Sequence, residues 1–147
     1  MIYQFDTNIV LHYIRQSETM QRVEQQYQPF DAGNEIWISV VSIGELKSIA
    51  IQLQWGKQKL QQLEKLLDII APVDIWSADI LDRYAEIDAY SQGKLPDRPL
   101  PYSARNMGKN DLWIAACASI LGATLLTTDA DFDHLNGTFL PVKQMTV

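Results

Sequence analysis

"NDLWIAACASILGATLLTTDADF" occupies residues 110–132. Its first part is a strongly apolar segment that begins with Asn110 and Asp111 and closes at Gly122, the pattern of a buried helix ending on glycine. "ATLLTT", residues 123–128, then reads as a short buried strand that stops at Asp129. An apolar helix feeding an apolar strand is half of a β-α-β unit, and such units build parallel sheets covered by helices on their faces.

The rest of the chain repeats that alternation. "MIYQF" is a strand, followed after Asp6 by Ile9, Val10, Tyr13 and Ile14 at helical spacing. "SETMQRVEQQYQ" continues as a more polar helix, and "EIWISV" is a second strand rich in β-branched residues. "SIGELKSIAIQLQW" reads as a helix ended by Gly56, and "KQKLQQLEKLLDII" as another with Leu60, Leu63, Leu66, Leu67 and Ile70 on one stripe. "VDIW" is expected as a strand, "SADILDRYAEIDAYSQG" as a helix, "DFDHLNG" as a turn and "TFLPV" as a last strand. The one clear loop is "KLPDRPLPYSARNMGK", whose three prolines forbid regular helix or interior strand. The expectation is an α/β fold over residues 1–147, a single domain with a mostly parallel central sheet flanked by helices.

Composition narrows the function only a little. A net charge of −6 argues against a nucleic-acid coat protein, though not against an enzyme that binds nucleic acid through metal ions and a local basic loop. No apolar run is long enough to span a bilayer, and residues 1–14 lack a signal-peptide core, so a cytoplasmic location is expected. The single cysteine, Cys117, reads as a small core residue. His12 and His134 show no metal-ligand spacing and read as structural, and Trp37, Trp76 and Trp113 as core residues.

Ligands of open α/β sheets bind outside the carboxyl ends of the strands. Asp6, Glu45, Asp111 and Asp129 all fall at or just past such ends, with Asp131 two residues further on. Each has a simpler explanation. Asp6 with Asn8 could cap a helix, Ser42 and Glu45 match a capping box, and Asn110 with Asp111 could be a cap and a first-turn acid. Asp129 and Asp131 could be turn formers. One arrangement explains all of them together: carboxylates crowded on one sheet edge, held by Mg²⁺ or Mn²⁺, which prefer hard oxygen ligands.

Four stretches, "FDTNIVLHYI", "ISVVSIGEL", "GKNDLWIAACA" and "LLTTDADFDHL", occur in an order and spacing that resembles the PIN-domain ribonucleases, specifically the VapC-type toxins of toxin–antitoxin pairs. The resemblance spans almost the whole chain. It implies that Asp6, Glu45, Asp111 and Asp129 bind Mg²⁺ or Mn²⁺, with Asp131 a further acid near the metal. Thr7 and Asn8 match the polar pair after the first Asp, with Asn8 orienting the carboxylates. Thr127 or Thr128 matches a hydroxyl residue that positions the site, and Asn110 would cap the helix carrying Asp111. Gln4 departs from the pattern, standing in a strand that is usually apolar. The implied activity is hydrolysis of RNA, possibly tRNA. The implied partners are a cognate antitoxin and a second copy in a homodimer.

In the proline-rich loop, Lys94, Arg98, Arg105 and Lys109 outnumber the lone acid Asp97, so contact with RNA phosphates beside the site is expected there. Tyr102 could stack on a base. Two other functions compete. A haloacid-dehalogenase-like phosphatase would need an aspartate where Asn8 stands. A non-catalytic PIN-like binding module would be expected to lack some of the acids, and all four are present.

Overall fold

A computed structural model describes all 147 residues. Strands β1 (Ile2–Phe5), β2 (Glu35–Ser39), β3 (Ala71–Val73), β4 (Thr124–Thr127) and β5 (Val142–Gln144) form one sheet in the order β3-β2-β1-β4-β5. Every neighbouring pair is parallel. Helices α1 (Thr7–Arg15) and α2 (Glu18–Tyr27) join β1 to β2, and α3 (Val40–Gln52) and α4 (Lys57–Ile69) join β2 to β3. Helices α5 (Ala78–Ser91) and α6 (Lys109–Leu121) lead to β4, and a 3-10 segment, Ala130–Leu135, leads to β5. The chain walks outward from β1 to β3, then crosses back to place β4 and β5 on the other side of β1. The order therefore reverses between β1 and β4, and in open α/β sheets ligands bind at the carboxyl ends of strands at such a reversal.

Successive strand residues face opposite sides of a sheet, which is why strands covered on both sides are apolar without interruption. Leu126 packs on one side with Tyr3, Phe5, Ile9, Val10 and Leu46, the side covered by α1 to α4. Leu125 packs on the other with Ile87, Ile114, Ala118 and Phe132, beneath α5, α6 and the 3-10 segment. Residues 115–118 of α6 are Ala-Ala-Cys-Ala, all fully buried, so the helix rests closely on the sheet, and Cys117 is the core residue expected. Gln4 points to the same side and donates from Nε2 to the carbonyl of Ile114 at 2.8 Å. This explains how a polar residue is accommodated in β1.

Several boundaries differ from the sequence expectation, each for a local reason. The third strand is Ala71–Val73 rather than "VDIW". Pro72 lacks an N–H, but β3 is an edge strand, where proline is tolerated. Beyond it Asp74 Oδ1 accepts from the N–H of Trp76 at 3.1 Å in a turn, leaving Trp76 83% exposed rather than in the core. The last strand begins at Val142 rather than within "TFLPV", because Pro141 can contribute only its carbonyl, which accepts from Leu125. Helix α3 begins at Val40 and is capped by Ser39, so Ser42 lies inside it and caps nothing. It ends at Gln52; Gly56 opens α4 instead of closing α3. Trp113 is half-buried against the ring of Tyr84, at 4.2 Å between centroids.

Candidate functional site

The carboxyl ends of β1 and β4 carry Asp6 and Asp129. Asp6 is both a cap and a member of the acidic group. Its Oδ1 accepts from the N–H of Thr7 at 2.8 Å, opening α1, and its Oδ2 accepts from Thr127 Oγ1 at 2.6 Å. Burial pushes its pKa up to about 6, against the lowering effect of those two bonds, with Glu45 and Asp129 adding repulsion.

Glu45 reaches the group because Ser39, the last residue of β2, also caps α3, leaving no loop between strand and helix. Thr7 Oγ1 donates to Glu45 Oε1 at 2.8 Å. The capping box expected from Ser42 and Glu45 does not form: Glu45 faces Thr7, and the buried Ser42 hydroxyl has no partner. Sequence reading overlooks Ser39, whose only signal is a serine at the end of an apolar strand.

Asp111 stands in the first turn of α6, half-buried. Burial, then Asp6, Asp129, Asp131 and Glu45, push its pKa up to about 7. The field of all four neighbours at one carboxylate shows that the acids form one group. Asp129 Oδ1 accepts from the N–H of Asp131 at 2.9 Å, and Asp111, Asp129 and Asp131 can each offer an oxygen within 4.8 Å of the others. The only ion pair in the chain is Arg83–Glu86, so none of these five acids has a basic partner. Three carboxylates at that spacing, two of them part-buried, fit a hard divalent cation such as Mg²⁺ or Mn²⁺.

The remaining sequence candidates divide. Thr127 is bonded to Asp6 and accepts from the N–H of Asp129 at 3.0 Å, whereas the half-buried Thr128 makes no side-chain hydrogen bond. Asn8 is exposed and its amide makes no hydrogen bond, so the carboxylates are oriented by Thr7 and Thr127 instead. Asn110 does not cap α6. Gly108 does, without a side-chain bond, and Asn110 is exposed in the first turn. Arg105 Nη1 reaches the carbonyl of Asp131 at 3.5 Å, and Lys109 is the first residue of α6. Arg98 lies over the ring of Phe139 at 4.8 Å and reaches the carbonyl of Thr138, on the approach to β5. Lys94 is exposed just past α5, where its N–H bonds the carbonyl of Ala89. The loop cations therefore do not form one patch: Arg105 and Lys109 sit by the acids, and Lys94 and Arg98 do not.

Residues 3–137 match the PIN domain family. Among solved structures, the chain is similar to VapBC2 from Rickettsia felis bound to a promoter DNA fragment, with 24% identity, 99% of each chain covered and a TM-score of 0.76. It is also similar to VapBC-1 from nontypeable Haemophilus influenzae, with 25% identity, 98% of each chain covered and a TM-score of 0.70. FitAcB from Neisseria gonorrhoeae is 22% identical, with 97% of this chain and 96% of that one covered and a TM-score of 0.68. No curated protein matches the sequence.

Proposed function

Because this chain belongs to the PIN-domain family, we propose that it is a divalent-metal-dependent endoribonuclease and the toxin of a type II toxin–antitoxin pair. The observation that carries this reading is the convergence of Asp6, Glu45, Asp111, Asp129 and Asp131 at one sheet edge with no cationic side chain paired to them. A metal site of this kind on a phosphodiester substrate needs little else from the protein than placement of oxygens. The similarity to VapBC and FitAcB structures supports the toxin assignment and an antitoxin partner. A homodimer is part of the same reading. No helix is long and apolar enough to cross a membrane, which agrees with a toxin that acts in the cytoplasm.

Asp111, Asp129 and Asp131 would hold Mg²⁺ or Mn²⁺, with Asp6 and Glu45 completing the negative site. The ion, when bound, polarises a phosphate oxygen and acidifies water. The chain's own residues supply orientation. Thr127 and the N–H of Thr7 fix both oxygens of Asp6, and Thr7 Oγ1 holds Oε1 of Glu45. The second oxygen of Glu45 is left able to accept the proton of an attacking water, a role that Asp129 could share. Attack by water in place of the ribose 2′-hydroxyl, with the P–O3′ bond breaking and the 3′-oxygen leaving as a hydroxyl, gives a 5′-phosphate and a 3′-hydroxyl. Arg105 and Lys109 flank the acids and are placed to meet neighbouring RNA phosphates.

The test is cleavage of RNA, tRNA included, by protein freed of any partner, with Mg²⁺ or Mn²⁺ against EDTA. Cleavage should require the metal and be lost in Asp6→Asn and Asp111→Asn. Metal binding without hydrolysis of any RNA would leave a binding module, and a 2′,3′-cyclic phosphate product would exclude attack by water.

A further inference from the structure

His134 is buried at 3% exposure, in the 3-10 segment, outside the acidic group. Its Nε2 lies 2.7 Å from Ser91 Oγ. Ser91, the last residue of α5, is fully buried, and its hydroxyl donates to Met107 Sδ at 3.4 Å. The other ring nitrogen, Nδ1, is buried without any partner. The directions of these bonds follow from proton counting. A serine hydroxyl has one proton to give. Given to His134, it would force the ring proton onto Nδ1, a buried N–H without an acceptor, and would strip Met107 of its donor. With the ring proton on Nε2, the hydroxyl is free for Met107 and only a bare lone pair is left at Nδ1. A buried orphan donor is the costlier outcome. Burial also keeps the ring neutral, pushing its pKa down to about 4, with Arg105 adding to the effect. The chain of bonds therefore runs from His134 Nε2–H to Ser91 Oγ–H to Met107 Sδ.

This relay joins the segments that carry the metal-binding acids. His134 lies three residues beyond Asp131 on the same 3-10 segment, and Met107 immediately precedes Gly108, the residue that opens α6 before Asp111. Gly108 brings no side-chain cap, so apart from the bond from Leu112 N–H to the carbonyl of Gly108 at 3.0 Å, no local contact pins the start of α6. The same strap is reinforced by the N–H of Arg105, which donates to the carbonyl of Ser91 at 2.8 Å. We propose that the His134–Ser91–Met107 relay sets the distance between Asp111 and the Asp129–Asp131 pair, and that Ser91 and His134 are thereby positioning residues for the divalent ion. The proposal rests on the metal-dependent reading above. It concerns two residues that neither that reading nor the sequence motifs assign a role.

Two measurements on the partner-free protein test it. Nitrogen NMR of the His134 ring should show the proton on Nε2 in the metal-free wild type; a proton on Nδ1 overturns the relay. Mn²⁺ titration should show several-fold weaker binding in Ser91→Ala, short of the ~10–100-fold typical for a group bonded directly to a metal ligand. Ser91→Thr, which keeps the hydroxyl, should restore it. A Ser91→Ala protein that is less stable yet binds Mn²⁺ as the wild type does overturns the proposal and leaves the nuclease reading standing. If Ser91→Ala does not fold, Met107→Leu, which conserves volume and removes only the sulfur acceptor, is judged by the same criterion. A wild type that binds no Mn²⁺ at all removes the metal reading and this proposal with it.

Discussion

Thr127 joins β4 to β1 at the acidic edge: its hydroxyl donates to Asp6 Oδ2 at 2.6 Å while accepting from the N–H of Asp129 at 3.0 Å. One side chain thus places two of the acids. Thr127→Val keeps shape and strand preference but leaves a buried carboxylate and an N–H without that partner. The expected loss of stability is ~1–3 kcal/mol, together with weaker Mn²⁺ binding and at least a severalfold drop in RNA cleavage. Urea unfolding and a cleavage assay at saturating metal measure the two effects separately. A variant as active as the wild type would mean that this hydroxyl does not position Asp6.

The acidic group should make the metal-free fold less stable as pH rises. Asp6 and Asp111 hold their protons in the folded chain up to about 6 and about 7, against 3.8 for the ordinary carboxyl. The folded state therefore binds more protons over that window, so the contribution present below pH 4 is lost as pH climbs through 6 to 7. His134 acts in the opposite sense, below its ordinary 6.5. The acids are thus read most cleanly above that value. The melting temperature in EDTA should fall between pH 6 and pH 8, and saturating Mn²⁺ should raise it most at pH 8. A flat profile in EDTA would contradict the burial and mutual repulsion that raise these two pKa values.

Asp111→Asn should separate activity from stability. Removing the charge that four neighbouring acids oppose should abolish metal-dependent cleavage. It should also stabilise the metal-free protein at pH 8 by roughly 1 kcal/mol, a figure discounted for the partial exposure of Asp111. Chemical denaturation in EDTA decides the second half; destabilisation there would show that Asp111 has a structural role.

Arg98, Arg105 and Lys109 of the loop should not be equivalent. Arg105→Glu and Lys109→Glu, beside the acids, should raise the KM for RNA and make it less dependent on salt than in the wild type, each having lost a phosphate contact. Arg98→Glu, which removes the guanidinium over the Phe139 ring on the approach to β5, should cost stability more than cleavage. Steady-state kinetics at two salt concentrations distinguish the three; equal effects on KM would restore the single-patch picture.

Gln4 makes one bond, to the carbonyl of Ile114, and its Oε1 is buried without a partner. Gln4→Met keeps the length and removes both polar atoms. The stability change should lie between neutral and a gain of ~1 kcal/mol. A loss larger than this in thermal or urea unfolding would show that the amide supports α6 more than its single bond suggests.

Much of this molecule is written locally. Apolar runs such as "ATLLTT" and "MIYQF" specify buried strands, the prolines of 94–109 specify the loop, and the acids at strand ends specify where to look. Those features depend on neighbours within one turn or one strand. Boundaries failed where two local signals compete, as at Ser39 against Ser42 for the start of α3, or at Pro72 in an edge strand. The helix cap at Asp6 and the metal-site reading looked like alternatives in the sequence; in the fold one carboxylate serves as the cap and as part of the acidic group.

The sequence by itself determined the parallel α/β architecture and named the acids, because periodicity and residue type carry that information along the chain. Only the tertiary structure decided how the acids are held. Thr7 meets Glu45 across 38 residues, His134 meets Ser91 across 43, and Thr127 meets Asp6 across 121. The first and last of these pairs exist because β1 sits between β2 and β4, and the second because α5 and the 3-10 segment pack on the same face of the sheet; neither arrangement leaves a mark in the spacing of residues along the chain.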